Sequence, residues 1–286
     1  DPLFFLIKKK RYKKILIQNG WKDSFNDKIL NSKHFLNSKK FFNLDFFLTY
    51  NKNIGLKYKK ISNCIPILIG SFKSNSFKIK KKLKKKIDLL YVSSFYDSDE
   101  KMKKIMITKD ISGEQFDKPQ RELLKTLDEY TKNNNLKLLI YGRCRFTKKI
   151  EEEKKYYSTY LRKCNWKYIN NNRKKTFTYI DNSSLVITIN STLGDESFSR
   201  KIRTVFFNIR PKNKELSPIR FGWPFLNKMD KGAFWINSLD YKKVEKFLNK
   251  VTGYRNPEWQ KITEKYKKNL MLRDENNTKF LQLINI

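Results

Sequence analysis

Histidine is nearly missing from this chain. His34 is the only one among 286 residues, so a Ser-His-Asp hydrolase or a histidine-rich metal centre has little to build on. Cysteine is scarce too: Cys64, Cys144 and Cys164 show no CxxC spacing and an odd count. That argues against a disulfide framework and against a zinc site, and it fits a reducing cytoplasm. No run approaches about 18 consecutive apolar residues, which excludes a transmembrane helix from the reading. The opening segment 2–7 is too short for a signal h-region, and its charges follow it rather than precede it. The expected location is cytoplasmic, at most peripheral at the inner face of the membrane.

Arginine is the third shortage. Only 12 of the 64 basic residues are Arg, although the formal charge is +36. Selection for phosphate or base recognition favours the bidentate Arg fork, and no RRM, KH or zinc-finger signature is present. Nucleic acid is therefore not an expected partner. The densest basic run, Lys78–Lys86, reads as a solvated linker or helix face. Its other reading is attraction to anionic lipid, at about 1 kcal/mol per Lys near the surface.

What is present suffices for a folded core. Hydrophobic residues make up 39% and aromatics 15%, against a mean hydropathy of −0.72. Residues 1–77 read as short strands between polar turns, namely 14–18, 44–50 and 64–69. The Lys-rich stretch marks a domain boundary, giving a first lobe over 1–86 with its linker and a second over 87–286. Because the sequence opens at Asp1 and runs straight into an apolar segment, part of the first lobe is expected to be missing.

The second lobe is more regular. Apolar strands are expected at 87–93, 136–141, 185–189 and 204–209, as in a sheet covered on both faces. Helices are expected from Pro119 to about Asn133, from Ile150 to Cys164, and from Asp195 to about Lys201. A tail helix is capped by Asp240, with Val244, Phe247, Leu248 and Val251 inward. Alternating strands and helices predict a doubly wound parallel sheet, an α/β fold whose ligands sit beyond the carboxyl ends of the strands. That places Ser93, Ser94, Gly142 and Arg143 in candidate ligand loops, together with 191–196 and 208–210.

The most informative stretch is Ser183–Arg210, SSLVITINSTLGDESFSRKIRTVFFNIR. A buried strand runs into small hydroxylated residues and then at once into a helix. The N–H groups of that helix start, with the hydroxyls of Ser191 and Thr192, could hold a diphosphate. Gly194 would let the backbone approach the ligand, and Arg210 could pair with the same phosphates. Glu196 suits ribose hydroxyls better than phosphate. An equally physical alternative is that Thr192 and Asp195 form a capping box serving only the helix. Asp195 and Glu196 would then repel an anion at short range.

This stretch resembles the STLGYE-type segment of bacterial surface-carbohydrate and O-antigen biosynthesis proteins with a GT-B glycosyltransferase architecture. Further pieces agree in the same order: Gln18-Asn19-Gly20-Trp21, Gly70-Ser71-Phe72-Lys73-Ser74-Asn75, Phe221-Gly222-Trp223-Pro224, Gly232-Ala233-Phe234-Trp235, and Asp274 with Asn277. Asp195 departs from the Tyr usual there. A weaker similarity joins 183–207 to glycerophosphotransferases that use CDP-glycerol. The resemblance implies a GT-B-like fold with two Rossmann-like lobes, a first lobe for the acceptor and a second for the nucleotide. It also implies a metal-independent transferase moving a sugar from a nucleotide-sugar co-substrate to a glycan or lipid-linked acceptor, with no further cofactor. Arg143, Arg210 and the 191–194 backbone would steady the leaving diphosphate.

Other signals are weaker. Asp97-Ser98-Asp99 spells a DxD, a match common in polar loops. His34 is either a surface residue or a general base on the acceptor side. Glu151–Glu153 reads as decoration of a helix N-terminus. Trp223 and Trp235 could stack on a ligand or anchor loops. No catalytic residue is assigned.

Overall fold

The computed structural model describes residues 13–18, 44–79, 85–95, 113–172, 174–189, 191–209 and 231–285. The chain divides into two compact units, Asp1–Ile79 with Lys261–Ile286, and Lys80–Gln260.

In the first unit, β1 (Ile15–Ile17), β2 (Phe46–Thr49) and β3 (Ile65–Leu68) form a parallel sheet in that order. Between β2 and β3 runs α1 (Lys52–Ser62), a helix that the expectation of strands alone omitted. Asn51 starts it by accepting from the Ile54 N–H, and Asn63 ends it in the left-handed region at φ 54°. Its lysines mask a short apolar stripe: Ile54 and Tyr58, one turn apart, are buried, and Tyr58 stacks on Phe47 at 4.1 Å. Leu48 and Ile69 pack instead with Leu283, joined by Phe72 and Phe280. Leu283 and Phe280 belong to the last helix, Thr278–Ile284.

The tail therefore does not all complete the second lobe, as the sequence led us to expect. From Lys261 onward it belongs to the first unit. The reason is backbone pairing and a polar knot. Leu272 N–H donates to Tyr50 O at 3.0 Å, and the Asn51 amide donates to Leu270 O at 3.2 Å. Asn75 donates to Ile69 O (2.8 Å) and to Asn277 Oδ1 (2.9 Å), and accepts from Asp274 N–H at 3.1 Å. Two motifs some 200 residues apart in sequence thus become one structural feature.

Among the described residues the second unit holds six parallel strands: β4 (Ile87–Val92), β5 (Lys137–Tyr141), β6 (Asn165–Ile169), β7 (Ser183–Thr188), β8 (Thr204–Phe207) and β9 (Trp235–Ile236). Their order is β6-β5-β4-β7-β8-β9. Counted within the unit this is 3-2-1-4-5-6, the doubly wound order of dinucleotide-binding sheets. Helices α2 (Gly113–Asn133), α3 (Thr147–Tyr160), α4 (Thr176–Asp181) and α5 (Thr192–Ser199) make the crossovers. Leu89 to Val92 of β4 and Leu185 to Ile187 of β7 are buried, as expected where helices cover both faces of a parallel sheet.

Helix α2 begins at Gly113 and contains Pro119 rather than starting there; a proline forfeits one N–H bond without ending the helix. Strands β6 and β9 and helix α4 were not anticipated. Edge strand β6 (NWKYI) has no continuous apolar run, and β9 has two residues. Helix α6 (Tyr241–Gly253) matches its expectation: Asp240 caps it through the Lys243 N–H, and Val244, Phe247, Leu248 and Val251 are buried. The fold is α/β and GT-B-like, with Rossmann-like units. No helix among the described residues is long and apolar enough to cross a membrane.

Candidate functional site

Register sets the site. Val92 pairs with Tyr141, Tyr91 with Ile187, and Tyr141 with Ile169, so the carboxyl ends of β4, β5, β6 and β7 finish nearly level. The Ser93 N–H extends one ladder to Tyr141 O (3.0 Å) and the Gly142 N–H the next to Ile169 O (2.9 Å). Beyond these ends lies a cavity of about 270 Å³, lined by Val92, Ser93, Ser94, Tyr141, Gly142, Arg143, Asn171, Ser191, Thr192 and Leu193. It straddles β4 and β7, where the strand order reverses and where such sheets bind ligands. Its size lies at the small end of ligand pockets.

Six of the residues expected from sequence meet here: Ser93, Ser94, Gly142, Arg143, Ser191 and Thr192. Ser191, not Thr192, caps α5. Its hydroxyl accepts from Leu193 N–H at 3.3 Å and its carbonyl from Gly194 N–H at 2.9 Å. The capping-box alternative therefore fails at its first residue. Thr192 lines the cavity, and its hydroxyl has no hydrogen-bond partner among the described residues.

Gly194 and Glu196 do not line the cavity. A Cβ on Gly194 would stand 2.4 Å from Thr188 Cγ2 and 3.1 Å from the Phe206 ring, so this glycine admits the sheet rather than a ligand. Glu196 is buried. Burial, with Glu196 beside it, pushes the Asp195 carboxyl well above the usual carboxylate range. That weakens the repulsion an acidic first turn would offer to an anion. Arg210, His34, Asp97, Asp99, Trp21 and Phe221–Pro224 lie outside the described residues. Trp235 is a buried anchor, edge-on to Phe234 at 5.1 Å.

The residue that sequence reasoning misjudged most is Glu153. It is wholly buried, not ornament on a helix end. Its carboxylate accepts from the Arg143 N–H (2.9 Å), the Cys144 N–H (2.8 Å), the Tyr168 hydroxyl (2.8 Å) and the Ser93 hydroxyl. The Ser93 oxygen in turn accepts from Tyr157 OH at 2.7 Å. Tyr168 also fills the place of a side chain at Gly142, where a Cβ would fall 2.0 Å from its hydroxyl oxygen. Three consecutive glutamates gave no sign of which one points inward. Asn171 was missed because the strand before it was missed; Tyr141 closes an expected strand but was not taken for a site residue. The Arg143 guanidinium reaches Phe95 O at 3.4 Å.

Burial and then Glu153 push the Cys144 thiol up to about 12; burial and Asp128 do the same for Cys164, and burial raises Cys64. All three are free, and none offers a thiolate near neutrality. Alkylation by iodoacetamide at pH 7.5 should be slow in the native protein and rapid after unfolding in guanidinium; rapid native labelling of Cys144 would contradict this geometry. Among the described residues no group of three His, Cys, Asp or Glu is placed to hold a metal ion.

Residues 15–286 match the family described as "putative O-antigen biosynthesis protein". No curated protein matches. Similar solved structures include the pneumococcal O-GlcNAc transferase GtfA with UDP and GlcNAc, at 13% identity and TM-score 0.46, covering 96% of this chain and 52% of that one. TarM matches at 17% identity and TM-score 0.49, covering 99% and 52%. A "putative UDP-N-acetylglucosamine 2-epimerase from Listeria monocytogenes" matches at 9% identity and TM-score 0.51, covering 85% and 59%. The last is a likeness of fold. The chain spans about half the length of the structures it matches.

Proposed function

We propose that this chain, which belongs to the O-antigen biosynthesis protein family, is part of a glycosyltransferase-like enzyme of bacterial surface-polysaccharide synthesis. It moves a sugar from a nucleotide donor to a lipid-linked or oligosaccharide acceptor, at the cytoplasmic side of the membrane. The observation that carries this reading is the cavity at the β4/β7 switch point, lined by hydroxyls, an amide and Arg143. The donor diphosphate lies against the first turn of α5. There Thr192 supplies a hydroxyl, Ser191 can still donate its proton, and the helix dipole adds about 0.3–1 kcal/mol. The Arg143 guanidinium approaches from the β5 side and stabilises charge as the diphosphate departs.

The test is thermal unfolding against UDP-, GDP-, CDP- and CMP-sugars. A ligand at about 100 times its Kd stabilises by about 2.7 kcal/mol and raises the midpoint accordingly. Thr192→Val and Arg143→Ala should each weaken that ligand about 10-fold, or about 1.4 kcal/mol, without lowering the unliganded midpoint. No stabilisation by any nucleotide sugar would sink the reading. A new phosphodiester instead of a glycosidic bond would redirect it to polyol-phosphate transfer.

A further inference from the structure

We propose that Glu153 is the positioning residue of this cavity: one buried carboxylate fixes the β4 and β5 loops that make its floor and one wall. The inference rests on the cavity being the ligand site. Ser93 follows β4, Arg143 and Cys144 follow β5, Tyr168 is on β6, and Glu153 itself is on α3. Four donors from three strand ends converge on its two oxygens. Such an arrangement is geometric rather than ligating. The Arg143 and Cys144 N–H groups and the Ser93 hydroxyl are spent on Glu153 and are not presented to a ligand. In return, the Arg143 Cα and the Gly142 backbone are held where the guanidinium and the wall belong. A buried polar network of this kind imposes one arrangement only while every member is satisfied.

The same unit contains a natural control. Asp128, also buried, gathers the N–H groups of Arg162 (3.2 Å), Lys163 (3.0 Å) and Cys164 (2.9 Å) just before β6 begins. The chemistry is alike, but these groups lie at the amino ends of the parallel strands, opposite the cavity. A carboxylate that merely stabilises the fold and one that shapes the site are therefore separable.

Glu153→Gln and Asp128→Asn are compared in the intact chain by three readouts: the unliganded midpoint, amide exchange over 93–95 and 142–145, and titration with UDP, GDP and CDP. Both variants should lose midpoint. Only Glu153→Gln should raise exchange in those two loops beyond what its midpoint loss explains, and weaken the nucleotide about 10-fold or more, the size that supporting partners of a site commonly contribute. Glu153→Asp, which keeps the charge on a shorter arm, should recover part of the exchange protection. Tyr168→Phe removes one donor and serves if Glu153→Gln does not fold; it should loosen the 142–145 loop alone. Equal exchange and equal affinity losses in Glu153→Gln and Asp128→Asn would overturn the proposal. If the parent binds no nucleotide, the functional reading fails by itself, and the exchange comparison still decides whether Glu153 orders these loops.

Discussion

Asp181→Asn is expected to cost about 3–5 kcal/mol and to lower the unfolding midpoint by roughly 10 °C. Asp181 ends α4 and Arg200 follows the last residue of α5. Their side chains meet through two bonds, Nε to Oδ1 at 2.7 Å and a terminal nitrogen to Oδ2 at 2.5 Å. The Arg200 side chain is 0% exposed and that of Asp181 8%, and the guanidinium lies 4.8 Å from the Phe177 ring centre. Removing the carboxylate charge takes the counter-charge from a fully buried guanidinium, which is where the cost arises; it is not the net worth of the pair. The double variant Asp181→Leu with Arg200→Met should accordingly recover much of the loss. Urea unfolding of the two variants and the parent checks both statements. A single variant within about 1 kcal/mol of the parent would contradict the assignment. The pair bears on the site as well. Helix α5 offers its first turn to the cavity, while Arg200 at its other end is held to α4.

How much of this was legible in the sequence depended on which interaction left a periodic trace. Continuous burial writes apolar runs, so β4, β5, β7 and β8 were visible within a residue or two, and with them the loops holding Ser93, Arg143 and Ser191. The alternating order then pointed to the doubly wound sheet and to its carboxyl edge. Side-chain polar bonds across long separations leave no such trace. Glu153 and Glu151 look alike in sequence, and only the fold puts the first beneath Ser93 and Arg143. Gly194 illustrates a different failure. A glycine beside a suspected phosphate loop invites a ligand argument, whereas its missing Cβ makes room for Thr188 and Phe206. The tail was misplaced because a terminal amphipathic helix specifies that it must cover an apolar face but not which one.

That tail carries the second large expected effect. Gly70→Ala should destabilise the first unit by at least about 3 kcal/mol. Gly70 has φ +73°, which costs a residue with a side chain about 1–2 kcal/mol. More decisive is where the new methyl would go: 1.6 Å from Leu272 O and 2.7 Å from Leu272 C. Both are backbone atoms, so no rotamer change relieves the overlap. The isolated bridge between Gly70 and Arg273 must open. Leu272 N–H to Tyr50 O and Asp274 N–H to Asn75 Oδ1 are strained with it. Exchange should therefore rise over 268–284 before it rises in β4, β5 or β7. Gly253→Ala is the counterpart: its Cβ would meet nothing within 4 Å at the end of α6, and it should be neutral or stabilising by about 0.4–1 kcal/mol. Two glycine substitutions of identical chemistry are thus expected to differ by at least about 3 kcal/mol. The difference comes from whether a neighbouring carbonyl occupies the space that each glycine leaves open.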